Sequence, residues 1–402
     1  MAISISIYVW NVSITSRTNR EDHLHMKVTG IETFKFWVDW CNWLFVRVTT
    51  DEGLIGWGEA SLHGPIESVE TAIREMAPHL IGQDPAGPEQ HWHRLYNAWR
   101  WRGGATLTSA LSGIDIALWD LEGKRLGVPV HRLLGGAHRT RLRVYASHWL
   151  SGVRTPEAAF EGAREAVRRG FTGFKCCLIS YDGLRANEAR ELRLAREMMA
   201  AAREGAGPDV DIFHECSEFL SPRTAVMLDD ALSPYRPGWF EEPIPFENAK
   251  VMARLQRELR TPIATGERLL SRYEFRELLE EGGCKIIQPD IMHGGGFTEL
   301  RRIASMADTY YVPVAPHNPG GPICTVASMH LAASIPNFYI LEQMEPQRAI
   351  RDAVSRPAIR FEDGHFILPD GPGLGLEPDI EALKDHAFKP QPFGERPGSL
   401  FR

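Results

Sequence analysis

The chain has 402 residues, 43% hydrophobic and 24% charged, the balance of a soluble globular protein with a large core and enough length for two domains. Its 45 basic and 52 acidic side chains leave a net charge of −7, and no basic run follows a phosphate backbone, which excludes nucleic acid as a partner. Six cysteines without a CxxC pair point to reduced thiols in a cytoplasmic protein, and no apolar run reaches the roughly 18 residues of a membrane span.

Residues 1–25, "MAISISIYVWNVSITSRTNREDHLH", carry neither a basic start nor a small-residue cleavage site, so they read as a peripheral extension without function and not as a signal peptide. Met26 opens a stretch, 26–142, in which strands come first and helices follow. "KVTGIETFKFWV" and "WLFVRVTT" are β-rich, and Asp51-Glu52-Gly53 turns the second into "LIGWGEA". Three helical stretches come next, among them "TLTSALSGIDIALWDLEGKRLG" with its glycine stop. This predicts an α+β capping domain. Two segments at its strand ends, "WVDWCNW" and "SLHGPI", are candidate specificity loops.

From 143 to 370 the pattern becomes strict alternation. The predicted strands are "RVYASHWL", "GFTGFKCCL", "VDIFHEC", "WFEEP", "PIATGE", "KIIQPDI", "VPVAPH" and "FYILEQ", with seven helical stretches between them, of which "SRYEFRELLEEGG" is typical. Eight strands and seven helices predict an α/β fold, a (β/α)7β TIM-like barrel, with residues 371–402 returning to the capping domain. Active sites of such barrels lie at the strand C-termini, so the strand ends are read as a set.

That set is Glu215, Glu241, Glu267, Asp290, His317 and Glu342, with Lys175 and Cys177 on the second strand. His214-Glu215-Cys216-Ser217-Glu218 lacks the second histidine of a zinc-protease helix. Three carboxylates from adjacent strands repel one another unless a cation lies between them, and an all-oxygen set points to Mg²⁺ more than zinc. Asp290 beside His317 orients the imidazole and raises its basicity, which suits proton abstraction. Glu342, if protonated, would hydrogen-bond an enolate oxygen.

With "GWGEA", "GIDIALWDLEGKRLGVPV", "FEEP", "TGER", "QPD", "APH", "LEQ" and "GPGLGLE", the chain resembles the enolase superfamily, mandelate racemase/muconate lactonizing enzyme subgroup, from about Met26 onward. "YRPGWFEEPI", "GERLLSRYEF", "IIQPDIMHGGG" and "APHNPGGPI" are most similar to the D-galactonate dehydratases. The resemblance implies a Mg²⁺-dependent lyase acting on a sugar acid, with Glu215, Glu241 and Glu267 as metal ligands and Asp290 and His317 as the base dyad. It also implies a homo-oligomer and a 2-keto-3-deoxy acid product.

Two positions depart from that pattern. Two-base members carry Lys-x-Lys on the second barrel strand, where this chain has Lys175-Cys176-Cys177. A racemase or epimerase is therefore the disfavoured alternative. Galactonate dehydratases carry Asp-x-His where this chain has Glu215-Cys216-Ser217, which removes the general acid and leaves a non-catalytic sugar-acid-binding protein as a second alternative. Serine is too weak an acid to replace histidine. Syn elimination through His317 alone would repair the loss, as would proton donation through water from Glu218 or His148, with His293 of "MHGGG" a weaker candidate. Lys175, Ser217, Glu218, His148 and His293 are accordingly the expected substrate-binding residues. No Lys-Ser/Thr follows the glycine run, so it is not read as a phosphate loop.

Overall fold

A computed structural model describes residues 26–391; the expectation for residues 1–25 lies outside them, as do residues 392–402. β1 (Val28–Val38), β2 (Cys41–Thr50) and β3 (Ile55–Glu59) form an antiparallel meander. Alternation along β2 feeds two cores. Leu44, Val46 and Val48 pack with α1 (Ile66–Met76), α2 (Pro88–Tyr96) and α3 (Ala105–Leu126), while Trp43 and Phe45 join the core shared with the barrel. The expected stop of α3 is Gly127, after which the short α4 (Val130–Leu133) leads into the barrel.

β4 (Arg141–Ser147), β5 (Gly173–Cys176), β6 (Asp211–Glu215), β7 (Phe240–Glu241), β8 (Ile263–Thr265) and β9 (Ile286–Ile287) run parallel in that order, and β10 (Leu341–Met344) pairs with β4. The helices that follow the strands are α5 (Pro156–Arg168), α6 (Tyr181–Ala206), α7 (Pro222–Leu232), α8 (Ala249–Glu258), α9 (Arg272–Glu281), α10 (Gly296–Thr309) and α11 (Pro322–Ser334). Side chains of Thr155, Ser180, Ser221 and Asn248 cap four of these helices at their N-termini.

The seventh expected strand, "VPVAPH", differs from the expectation in form. It is held by isolated parallel bridges, Ile287↔Val314, Asp290↔His317 and Val314↔Phe338, and not by a continuous ladder. Pro313 and Pro316 have no N–H to donate, so the ladder breaks at both, yet Ala315 N–H still bonds to the Ile287 carbonyl at 2.9 Å. The barrel closes through this segment.

The lower barrel interior is filled by Tyr145, Phe213, Trp239, Ala264, Ile286, Ala315 and Ile340. Phe213 and Trp239 stack with ring centroids 3.6 Å apart, and Tyr145 meets both edge-on. Because side chains alternate with period two, residues two further along, Ser147, Glu215, Glu241, His317 and Glu342, rise directly above this apolar plug. Past the barrel, a hairpin of Phe361–Glu362 and His365–Ile367 pairs antiparallel with β4. The chain then reaches the capping sheet, where Trp37 N–H bonds to the His386 carbonyl and Asn42 to Lys389.

Candidate active site

Lys175 stands at the centre of the charged layer. Its buried ammonium pairs with Glu241, with Glu215 (Nζ–Oε2 3.1 Å) and with Glu342 (Nζ–Oε1 3.3 Å). Burial opposes its charge, but the surrounding carboxylates, Glu241 foremost, keep it protonated well above the ordinary lysine range. Glu241 is also fixed through Oε2, which accepts from Trp239 Nε1 at 3.0 Å and Gln288 Nε2 at 2.8 Å. Glu342 accepts from Ser147 Oγ at 2.5 Å and from the Asn318 N–H at 2.8 Å. Burial works against its ionisation, yet Lys175, His317 and these donors hold it below the usual carboxylate range. The hydrogen bond to an enolate oxygen required a protonated Glu342, whereas its surroundings supply donors and cations that favour the carboxylate.

His317 Nδ1 lies 2.8 Å from Asp290 Oδ2, and Nε2 faces Glu267 Oε2 at 3.4 Å and Glu342 Oε2 at 3.9 Å. Asp290 is anchored by the Met292 N–H, 2.6 Å from Oδ1. Burial lowers His317, but Glu267, Asp290 and Glu342 outweigh it and raise the ring to about 10. Asp290 fixes one nitrogen and leaves the other turned toward the carboxylates.

The charge balance bears on a metal. Glu215, Glu241, Glu267, Asp290 and Glu342 are five acids; Lys175 and His317 lie among them, and Arg268 reaches Glu267 Oε1 at 3.1 Å from the rim, so the acids still outnumber the cations. Burial pushes Glu241 well up, with its carboxylate neighbours adding to the rise, and Glu267 goes to about 7. The acids therefore resist ionising together. Among the described residues no three His, Cys, Asp or Glu groups close around one point as a formed metal shell would. In chemistry and charge the set still fits a hard divalent cation: oxygen donors on adjacent strands, Glu215 and Glu241 directly opposed in register, with positive charge in deficit.

Ser217, where an acid histidine was missed, has another occupation. Its N–H and Oγ both donate to Glu215 Oε1, at 2.7 and 3.0 Å, in a left-handed backbone turn (φ 49°). The residue positions Glu215. His214 points to the opposite face, accepting the Leu178 N–H. Glu218 is engaged by the Phe246 N–H and by Arg268, 3.5 Å from Oε2. His148 Nδ1 lies 3.1 Å from Ser147 Oγ, and burial with the nearby Lys175 pushes it down to about 4, so it is a neutral ring and a poor donor. His293 bonds through Nδ1 to Ser109 Oγ at 2.9 Å and lies 3.8 Å from Asp290; burial lowers it too. Cys177 donates to the Ile179 carbonyl, and burial pushes its thiol up to about 12, which removes it as a thiolate base.

Ser147, Gln288 and Asn318 also line the site; nothing in sequence sets them apart, although each lies inside one of the stretches that mark it. Sequence reasoning also left His63 unassigned within "SLHGPI". The His63 ring meets Trp40 edge-on at 4.7 Å, and Trp40 lies 6.3 Å from His148, so both capping-domain loops lean over the barrel mouth.

Residues 17–135 match the mandelate racemase / muconate lactonizing enzyme N-terminal domain, and residues 158–383 match the enolase C-terminal domain-like family. D-Galactonate dehydratase of Pectobacterium atrosepticum is 38% identical over 89% of this chain and 94% of its own length. That of Ralstonia nicotianae is 40% identical over 89% and 93%. Among solved structures, a member of the enolase superfamily from Salmonella Typhimurium superposes with a TM-score of 0.85 at 31% identity, covering 90% of this chain and 98% of that one. A mandelate racemase/muconate lactonizing enzyme from Sulfitobacter sp. gives 0.83 at 31% identity, over 90% and 96%.

Proposed function

The chain belongs to the mandelate racemase / muconate lactonizing enzyme family of the enolase superfamily, and on that premise we propose that it is a Mg²⁺-dependent hydro-lyase that dehydrates a sugar acid to a 2-keto-3-deoxy acid. The observation that carries this reading is the Asp290–His317 pair, whose second ring nitrogen faces a wall of carboxylates inside the barrel mouth. The 37–40% identity to D-galactonate dehydratases supports the substrate class.

Glu215, Glu241 and Glu267 would hold Mg²⁺, which when bound supplies the positive charge that offsets the charge developing on the substrate carboxylate. Glu267 is foremost among the carboxylates that hold His317 charged; with its charge offset in this way the ring would give up its Nε2 proton, while Asp290 keeps Nδ1 protonated and the ring oriented, so that Nε2 takes the proton α to the substrate carboxylate. Lys175 holds Glu241, Glu215 and Glu342 in place. With Ser217 turned to Glu215, Glu218 paired and His148 neutral, His317 is the best-placed donor for the departing β-hydroxyl. It returns the proton that it took; the hydroxyl leaves as water, and the resulting enol tautomerises to the keto acid. The absence of a thiolate at Cys177 argues against a second base and so against racemisation.

Incubation with a panel of aldonates and aldarates in the presence of Mg²⁺ tests this reading, scored for 2-keto-3-deoxy product. Solvent deuterium entering the α-position without loss of water would favour epimerisation instead. No product and no exchange with any acid would leave a binding protein. Ser217→Ala is expected to reduce kcat less than about tenfold, because the Ser217 N–H still holds Glu215, whereas loss of a true general acid costs ~10²–10⁴-fold. Steady-state kinetics on the preferred acid checks it, and a loss in the larger range would show that the Ser217 hydroxyl does more than hold Glu215.

A further inference from the structure

The loop that carries His317 runs into α11 through Asn318-Pro319-Gly320-Gly321, and its first helical residue is Pro322. Gly321 stands at the N-cap position and has no side chain with which to cap the helix. The missing acceptor comes from the other domain. Glu59, the last residue of β3, reaches across to accept the Gly321 N–H through Oε1 at 2.6 Å and the Cys324 N–H through Oε2 at 2.8 Å.

The approach is close: a Cβ on Gly321 would lie 3.1 Å from Glu59 Oε1 and 3.0 Å from Trp43, so glycine makes room for the carboxylate. Glu59 is fully buried, and Ser61 Oγ, which itself accepts the Leu44 N–H, fixes it by donating to Oε1 at 2.7 Å. The carbonyls of the same loop are held from the opposite side. Buried Arg351 donates to those of Asn318 and Gly320, while Asn318 bonds to Glu342 through both its N–H and its side chain. A segment next to His317 is thus pinned at consecutive backbone groups by one residue of the capping domain and two of the barrel.

We propose that Glu59 is a positioning residue for the reaction: from the capping domain it supplies the N-cap of α11 and so sets the loop that aims His317 at the substrate. The kinetic part of this inference rests on the proposed dehydratase reading; the structural part does not.

Glu59→Gln keeps the shape but turns an amide N–H against one of the two backbone donors. Gly321→Ala keeps the carboxylate and crowds it from the helix. Three measurements on the full chain test the idea. Hydrogen–deuterium exchange of peptides spanning 318–326, read by mass spectrometry, should accelerate in both variants. Modification of His317 by diethyl pyrocarbonate should quicken, since the ring loses its fixed orientation. In turnover, kcat should fall roughly tenfold to hundredfold with KM little changed, the expected scale for a small misplacement of a reacting group.

A variant that only destabilised the fold would lower the thermal midpoint while leaving kcat per folded molecule as it was. Unchanged exchange in 318–326 would overturn the cap, and faster exchange with unaltered His317 reactivity would overturn the positioning role. If the wild type dehydrates no sugar acid, the dehydratase reading fails, and the two substrate-free measurements still decide the role of Glu59.

Discussion

His317→Asn is expected to remove both dehydration and exchange of the substrate α-hydrogen with solvent deuterium. The side chain is the one histidine at the site with a carboxylate partner at 2.8 Å and a second nitrogen directed at the acidic wall. Asparagine retains a donor for Asp290, and Met292 N–H still anchors that carboxylate, so the variant keeps its local structure. The loss should reach at least the ~10²–10⁴-fold of a general acid–base residue, and both readouts should fall together because one ring handles both proton transfers. Glu218→Gln and His148→Asn are the controls. If either loses that factor while α-hydrogen exchange persists, the proton reaches the leaving hydroxyl from there and the single-histidine route is wrong. The environments of the two controls, Glu218 paired with Arg268 and His148 held neutral by burial and Lys175, predict modest effects.

Glu241→Gln should abolish Mg²⁺ binding, read by calorimetric titration, and reduce turnover on the order of 10³-fold, the scale of losing a metal's charge stabilisation. Both oxygens of this carboxylate face donors, Lys175 on Oε1 and Trp239 and Gln288 on Oε2, and Oε1 keeps a lone pair for a cation. An amide in its place sets N–H groups against at least one of them and removes a charge from the centre. Lys175 keeps Glu215 and Glu342 as partners, so the variant should fold with a lowered thermal midpoint and without losing its charged layer. Native Mg²⁺ affinity in Glu241→Gln would show the ligand assignment to be wrong.

The barrel was legible because its signals are local. Period-two alternation sets Phe213 below Glu215 and Trp239 below Glu241, and the rule that barrel strands end at the active face turns those endings into a list of candidates. The same rule brought Asp290 and His317 together from two neighbouring strand ends, a pairing that the bridge between them makes direct. Where local chemistry conflicted, the form changed: two prolines reduced the seventh strand to isolated bridges, although they stand in plain view in "VPVAPH".

What the sequence by itself determined, then, is the fold class, the family and the carboxylates and histidine that converge at one end of the barrel. Tertiary structure decided how those groups are charged and held. Lys175 reads in sequence as a strand-end residue for binding substrate, yet its ammonium is shared among three carboxylates, because that depends on which side chains meet at the barrel axis. Glu342 is drawn toward its ionised form for the same reason: Lys175, His317 and two hydrogen-bond donors act on it together, which no spacing encodes. Ser217 looked like a missing acid, and its bonds to Glu215 give it a different task. Glu59, inside a motif already recognised, meets its partners 262 and 265 residues away. Sequence periodicity reports the face on which a side chain lies; only the closed fold reports what stands opposite it.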